Sequence, residues 1–372
     1  MKINYRQMSV MLFMSFISLK FLVLPSVLYR YSSNMSWLVV LTLMIIDGIY
    51  AILIISLMRK NQNTNINEFM KETIGPVFTK IILAILAVQF ALQIGNLTKG
   101  LEFFVVENFY NNFSWVLFTL PLVGLVGFMM FKGVRNIARV QEIFYLSIVI
   151  GCIYIAFKSL ADVDPLVYMP MFKDGITPLF ESGFRHMNWF GSSTYLIVLF
   201  GKVDFSREKK KTSILYVIFA ILLVQLLYFV FYGLFDMTSP THTFAISDIS
   251  QFSSSKSFID ELSWLVVSLW VVTQSIQIAL YGYCLVITLM FLFKIKSKVL
   301  MVTIVDAFIF MFGYLGSVTV NLEQFFFSNF ASISTMIASY LVPLILWLGY
   351  LVKNKTNPKI KVVQNEKIEN HI

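Results

Sequence analysis

Runs of about 20 mainly apolar residues recur along most of this 372-residue chain, separated by short polar segments. A helix needs about that length to cross the hydrocarbon of a bilayer. Ten stretches reach or approach it: 8–28, 37–57, 81–104, 115–131, 140–157, 186–201, 213–235, 262–292, 299–320 and 332–351. Composition agrees, with 58% hydrophobic and 13% charged residues and a mean hydropathy of +0.77. Soluble domains lie near 45–50% and 25%, so a soluble enzyme is excluded. The first stretch follows Lys2 and Arg6 as a signal peptide would. It is too long for a signal's apolar region, contains Lys20 and lacks a small-residue cleavage site, so it reads as a retained helix.

The basic residues sort by side. With the N-terminus in the cytoplasm, most of the 29 lysines and arginines fall on inner segments. These include Arg59, Lys60, Lys132, Arg135, Arg139, Lys202, Lys294, Lys296, Lys298 and the Lys-rich tail. Arg30, Lys99, Lys158, Lys173, Arg185 and Lys256 fall outside. The asymmetry predicts ten spans with both termini inside. Trp37, Trp115 and Trp264 mark outer helix ends and Trp347 an inner one, as in an interfacial aromatic belt. Topology therefore accounts for the pI of 9.3, and no nucleic-acid partner is implied. The expected organisation is a ten-helix domain over 1–352 and a basic cytoplasmic tail over 353–372, disordered or held at a lipid surface.

No chemistry is assignable. Cys152 and Cys284 sit in apolar stretches, and His186, His242 and His371 match no metal motif. No phosphate loop or nucleophile elbow appears, so neither an enzyme nor a cofactor nor a metal is expected. Between spans 5 and 6, Thr177 and Pro178 suit the start of a short surface helix with Phe180 and Phe184 on one face. Residues 238–261 read as an irregular lid or contact loop.

Ten spans divide into five and five, and the first helix of each half is interrupted. Helix 1 carries Leu24-Pro25-Ser26, and helix 6 carries Gly191-Ser192-Ser193-Thr194. Proline frees a carbonyl of the preceding turn, and irregular backbone at membrane depth is tolerated only against protein or a cavity. Matching breaks in two halves point to a secondary-transporter fold with its site at the midplane. An ordinary kink and a packing glycine are the alternative.

Lys20 lies about ten residues, or roughly 15 Å, from either end of helix 1, too far to snorkel. Asp47 lies at matching depth in helix 2. A Lys20–Asp47 pair is the simplest way to keep both, either as a structural tie or as a functional group. In the functional case Lys20 binds a ligand carboxylate, holds a proton or fills a cation site with its own charge. Gln89, Gln93 and Asn96 form a stripe on helix 3, and Gln274, Gln277 and Tyr281 one on helix 8. Such stripes hydrogen-bond a substrate or join helices. Asp306 in helix 9 is expected to be structural. Arg139 and Glu142 can pair at the start of helix 5. With Arg135 they form a solvated helix start or an inner gate or partner contact.

The layout resembles the amino acid–polyamine–organocation superfamily. Within it the chain is similar to the endospore germination permease family, the B-type membrane subunits of spore germinant receptors. The resemblance is carried by Arg6-Gln7, by Leu22-Val23-Leu24-Pro25-Ser26 and by Gly133-Val134-Arg135-Asn136-Ile137-Ala138-Arg139-Val140-Gln141-Glu142. Pro178-Leu179-Phe180-Glu181-Ser182-Gly183 leading to Phe190-Gly191 adds to it. It implies a role in germination at the inner spore membrane, beside A-type and lipoprotein C-type subunits. It also implies a small-germinant site, often for amino acids, between helices 1, 3, 6 and 8. At the matching positions that site draws on Phe21, Leu24, Gln93, Gly191, Ser192 and Ser193. Relatives that bind amino acids commonly carry glycine at the helix 1 break, and residues 18–22 here have none. Either Lys20 replaces the free amides by charge, or the ligand differs.

The expected protein is thus a germinant-receptor subunit that binds a small solute, with Lys20, Gln89, Gln274 and Gln277 added to the candidate site. A proton-coupled amino acid transporter using Lys20 and Asp47 is the alternative. A scaffold whose site has decayed is a third possibility.

Overall fold

The computed structural model describes residues 2–62, 64–109, 115–169, 172, 175–206, 211–252, 261–318 and 329–356. The chain is mainly helical, as a backbone without water partners requires. Helix α1 (Tyr5–Ser18) is buried from Met8 to its end and lies at the centre. After a non-helical turn the chain resumes as α2 (Leu24–Ser32), with Pro25 in its first turn, where the missing amide costs nothing. At Ser33, φ of 42° redirects the chain into α3 (Ser36–Lys60).

The connection that follows α3 holds α4 (Ile66–Ile74), which sequence reading left without an element. It starts with a capping box: Glu68 N donates to Asn65 Oδ1 at 3.0 Å, and Asn65 N donates to Glu68 Oε2 at 3.4 Å. There follow α5 (Pro76–Phe109), α6 (Trp115–Lys132) and α7 (Val134–Ser159). The turn between the last two needs Gly133, whose φ is 90°. The short helix α8 (Thr177–Arg185) forms where a helix was expected, but Ile176 holds the cap position and Thr177 is the first helical residue. Phe180 and Phe184 are exposed on it.

The sixth stretch departs furthest from expectation. Residues 186–201 form no α-helix, only 3-10 turns at Met187–Trp189 and Thr194–Leu199 around an extended Phe190 and a Gly191 with φ of 76°. Then come α9 (Thr212–Phe235), a 3-10 turn (Asp236–Thr241) and α10 (Ala245–Gln251). The loop expected to be irregular over 238–261 therefore carries the end of a 3-10 turn and a short helix, and its residues 253–260 lie outside the described residues. The chain continues through α11 (Glu261–Phe293) and α12 (Lys298–Val318). The last stretch divides into α13 (Asn329–Met336), a π-turn (Ile337–Leu341) and α14 (Val342–Thr356). The tail from 357 onward lies outside the described residues.

Six described stretches are long and apolar enough to cross a membrane: Leu24–Lys60, Pro76–Glu107, Val134–Asp162, Thr212–Thr241, Val267–Phe293 and Asn329–Lys353. Val116–Lys132 is apolar but shorter. The core forms where α1 packs on α9, α7 and α11, and α11 packs on α5. A two-residue strand β1 (Ile3–Asn4) pairs in parallel with β2 (Val203–Asp204).

Candidate functional site

The first break runs from Leu19 to Val23, and its freed carbonyls are taken up by neighbouring elements. Gln274 Nε2 of α11 donates to Ser18 O. Tyr228 of α9 donates to Lys20 O at 2.8 Å, and Tyr232 donates to Pro25 O at 2.9 Å. The amides of Ile246 and Ala245 at the start of α10 donate to Phe21 O and Leu22 O, both at 3.3 Å. Apart from the bond to Pro25 O, which lies inside α2, each replaces one that the helix lost, as buried carbonyls demand. Phe21 packs on Trp270 with ring centroids 5.5 Å apart, and Leu24 is fully buried.

The second break is held by a carboxylate. Gly191 N lies 3.0 Å from both oxygens of Asp47, and Ser192 N donates to Oδ2 at 3.2 Å. Tyr340 donates its hydroxyl to Oδ1 at 2.5 Å. Gly191 has φ of 76°, and a Cβ there would collide with Ser339. Only glycine fits. Thr194 donates to Gly191 O at 2.8 Å and bonds the Ser339 hydroxyl at 2.6 Å. Gln93 Nε2 donates to Asn188 O at 3.0 Å.

Lys20 and Asp47 are both fully buried. The direct pair expected from their depth is not formed. Lys20 Nζ instead donates to Ser192 Oγ at 2.6 Å and lies over the Phe190 ring, 5.0 Å from its centroid. Ser192 thus stands between the charges, accepting from the ammonium through its hydroxyl and donating to the carboxylate through its amide. Backbone amides at the second break give Asp47 partners that a lysine would otherwise supply, which is why the charges separate.

The polar stripes both join helices and leave atoms over. Gln89 Nε2 donates to Thr335 Oγ1 at 3.0 Å, and Ser15 donates to Gln277 Oε1 at 3.1 Å. Gln93 Oε1, Ser193 Oγ, Gln274 Oε1 and Gln277 Nε2 are buried without a hydrogen-bond partner. Ser193 belongs to the second break, Gln93 bonds Asn188 O beside it and Gln274 bonds Ser18 O at the first, while Gln277 bonds Ser15 inside α1. Buried unpartnered polar atoms beside a break fit a polar occupant. Tyr281 packs on Phe90. Asp306 lies elsewhere, against Gly127 of α6.

In α7, Glu142 pairs with Arg6 at 3.4 Å and accepts from Gln7 at 3.1 Å. Its described ion pair is therefore with the N-terminal segment, not with Arg139, which is exposed, while Arg135 is half-buried. The start of α10 covers the first break. Its Asp248 lies 3.6 Å from His242. Burial, reinforced by the charge of Glu107, pushes the Asp248 carboxyl up to about 6, and burial pushes His242 down.

Sequence reading missed Tyr340, Ser339, Tyr228 and α10. Ser332, Thr335 and Ser339 recur at three and four in the last span and carried a usable signal. Tyr228 and Tyr232 also lie four apart.

A solved Na+-coupled sialic acid symporter, in a substrate-bound outward-open state, is similar in fold. Its TM-score is 0.59 at 13% identity, covering 90% of this chain and 78% of that one. At that identity the likeness shows fold alone: a permease-type transporter fold in a multi-pass integral membrane protein. None of the curated proteins matches. The spore germination protein family, by contrast, matches residues 2–318 through its sequence model, so this chain, with its broken first helix and the Gly133–Glu142 loop inside that match, belongs to that family.

Proposed function

We propose that the chain is the membrane subunit of a spore germinant receptor that binds a small solute, most simply an amino acid, and helps trigger germination. On this reading it has ten spans in a five-plus-five inverted repeat, with both termini in the cytoplasm of the inner spore membrane. It acts beside A-type and C-type subunits. One observation carries the proposal: Lys20 and Asp47 meet at the second break through Ser192, whose hydroxyl accepts from the ammonium and whose amide donates to the carboxylate. Buried charge at interrupted helices marks substrate and ion sites in membrane proteins.

The mechanism is a shift between two conformations, which requires the solute to bind one of them more tightly. The bonds from α10 to Phe21 O and Leu22 O hold the outer side shut, while β1–β2 and Arg6–Glu142 hold the inner side. A solute that displaces Lys20 from Ser192 would loosen the second break and pass strain to both closures. A second reading, proton-coupled amino acid transport, is favoured by the same two ionisable groups, since a lysine beside a carboxylate can carry a proton.

The test is solute counterflow in proteoliposomes with labelled amino acids, alongside thermal shift with the same panel. Binding without flux supports the receptor, and flux above empty liposomes supports the transporter. Absence of both, with A- and C-type subunits co-reconstituted, rejects the two together.

A further inference from the structure

A cavity of about 240 Å³ opens on the outer side of the breaks, between α2, α5, Trp189 and Thr243. That is roughly eight liquid-water volumes, enough for a small organic solute. Arg30 of α2 and Lys99 of α5 both line it, and among the described residues no carboxylate does. Asn96, one turn from Lys99, presents a buried Nδ2 with no hydrogen-bond partner. Phe103 and Trp189 contribute apolar surface, with Val23 and Val27.

The charges are partly engaged. Arg30 Nη2 donates to Pro240 O at 2.9 Å, a neutral acceptor that leaves the guanidinium's charge and its other N–H groups available. Lys99 is engaged as well, and Glu102, three residues along α5, is not among the described lining residues. The cavity therefore keeps a positive, donor-rich end and an apolar, aromatic end. Such a site suits a small amphipathic monocarboxylate, the anion matched to guanidinium and ammonium.

The first break explains why recognition would sit here. Its carbonyls at Ser18, Lys20, Phe21 and Leu22 are acceptors already taken, and residues 18–22 offer no glycine to open free amides toward a carboxylate. We infer that this outer cavity is a carboxylate-binding vestibule. In it Arg30, Lys99 and Asn96 hold the anionic group of a small solute and Trp189 and Phe103 cover its apolar part. This rests on the receptor reading above and names the part of the ligand recognised first.

The experiment titrates the full chain in nanodiscs with 4-methylpentanoate, L-leucine, L-leucinamide and inorganic phosphate, following tryptophan fluorescence and calorimetry. The expected result is millimolar or tighter binding of both carboxylates, with leucinamide and phosphate at least tenfold weaker. Lys99→Gln and Asn96→Leu should each weaken carboxylate binding about tenfold, Arg30→Gln likewise, and Arg30→Lys should restore most of it. Lys353→Gln, whose ammonium pairs with Glu72 outside the cavity lining, should leave affinity within twofold. Equal binding of leucinamide overturns the carboxylate assignment, and equal binding of phosphate makes the cavity a general anion or headgroup site. If Lys20→Met abolishes binding while Lys99→Gln and Arg30→Gln do not, the vestibule is rejected and the receptor reading stands. No binding of any probe or labelled amino acid counts against both.

Discussion

Tyr340 reaches Asp47 across the bundle, its hydroxyl 2.5 Å from Oδ1, and so ties the π-turn of the last span to the broken backbone at Gly191. Extra residues in a helix turn re-aim side chains at functional positions. Here the turn brings Ser339 and Tyr340 to bear on the same break, one through Thr194 and one through Asp47.

Tyr340→Phe removes a donor to a buried carboxylate. Hydrogen bonds to charged groups are worth about 1.5–3 kcal/mol, and the loss should appear as a lower thermal midpoint in detergent. A midpoint equal to wild type would mean that Gly191 and Ser192 amides satisfy Asp47 alone.

Gly191→Ala places a methyl against Ser339 in a left-handed backbone. The strain of the backbone alone is about 1–3 kcal/mol, and the collision adds to it. Ser339→Gly in the same chain should recover part of the lost stability. No recovery would place the damage in the backbone conformation rather than in the contact.

Lys20→Met keeps length and apolarity while removing the ammonium at Ser192. Under the receptor or transporter reading it abolishes the solute response and leaves assembly intact, measured by germination or flux and by size-exclusion chromatography. A normal response with reduced thermal stability would make Lys20 a structural tie.

Ala245→Pro isolates the outer closure. Residue 245 is the first helical position of α10, where proline is tolerated, yet its amide donates to Leu22 O. The substitution should leave α10 folded and speed hydrogen exchange at Ile246 and residues 21–23 severalfold. Unchanged exchange would show that the bond does not hold the closure.

The closure should also respond to pH. Asp248 is pushed from 3.8 up to about 6 when packed, so the packed state binds its proton more tightly than the open one. Its stabilising contribution is present below pH 4 and is lost as pH rises through 6. His242, pushed down by burial, acts oppositely, since its penalty grows as pH falls below 6.5. Asp248→Asn should flatten the rise in α10 exchange between pH 4 and 6, and a slope left unchanged would assign it to other groups.

Much of this arrangement was legible in the sequence because bilayers impose simple rules. Uninterrupted apolar length marked the long helices, and Pro25 and Gly191 marked the breaks. The depth of Lys20 and Asp47 was readable by counting from helix ends, but their partners were not. Backbone amides carry no sequence label, so nothing revealed that Gly191 and Ser192 would take Asp47 and leave Lys20 to a hydroxyl. The missing α-helix at 186–201 has the same origin: an apolar run says that a segment is buried, not which hydrogen bonds it makes. For α10, the neighbouring polar loop concealed a seven-residue helix whose role is fixed by carbonyls more than 200 positions away.

The partners of Asp47 also set an order of events during synthesis. Its carboxylate enters the membrane with α3, yet the donors to it lie at residues 191, 192 and 340. At about 5–20 residues per second, Tyr340 follows Asp47 by roughly 15 to 60 s. For that interval the helix carries an acid whose insertion costs about 2.5–3.5 kcal/mol at mid-bilayer. Biogenesis of this chain therefore depends on a waiting state, in which α3 is sheltered by the insertion machinery until the last span arrives.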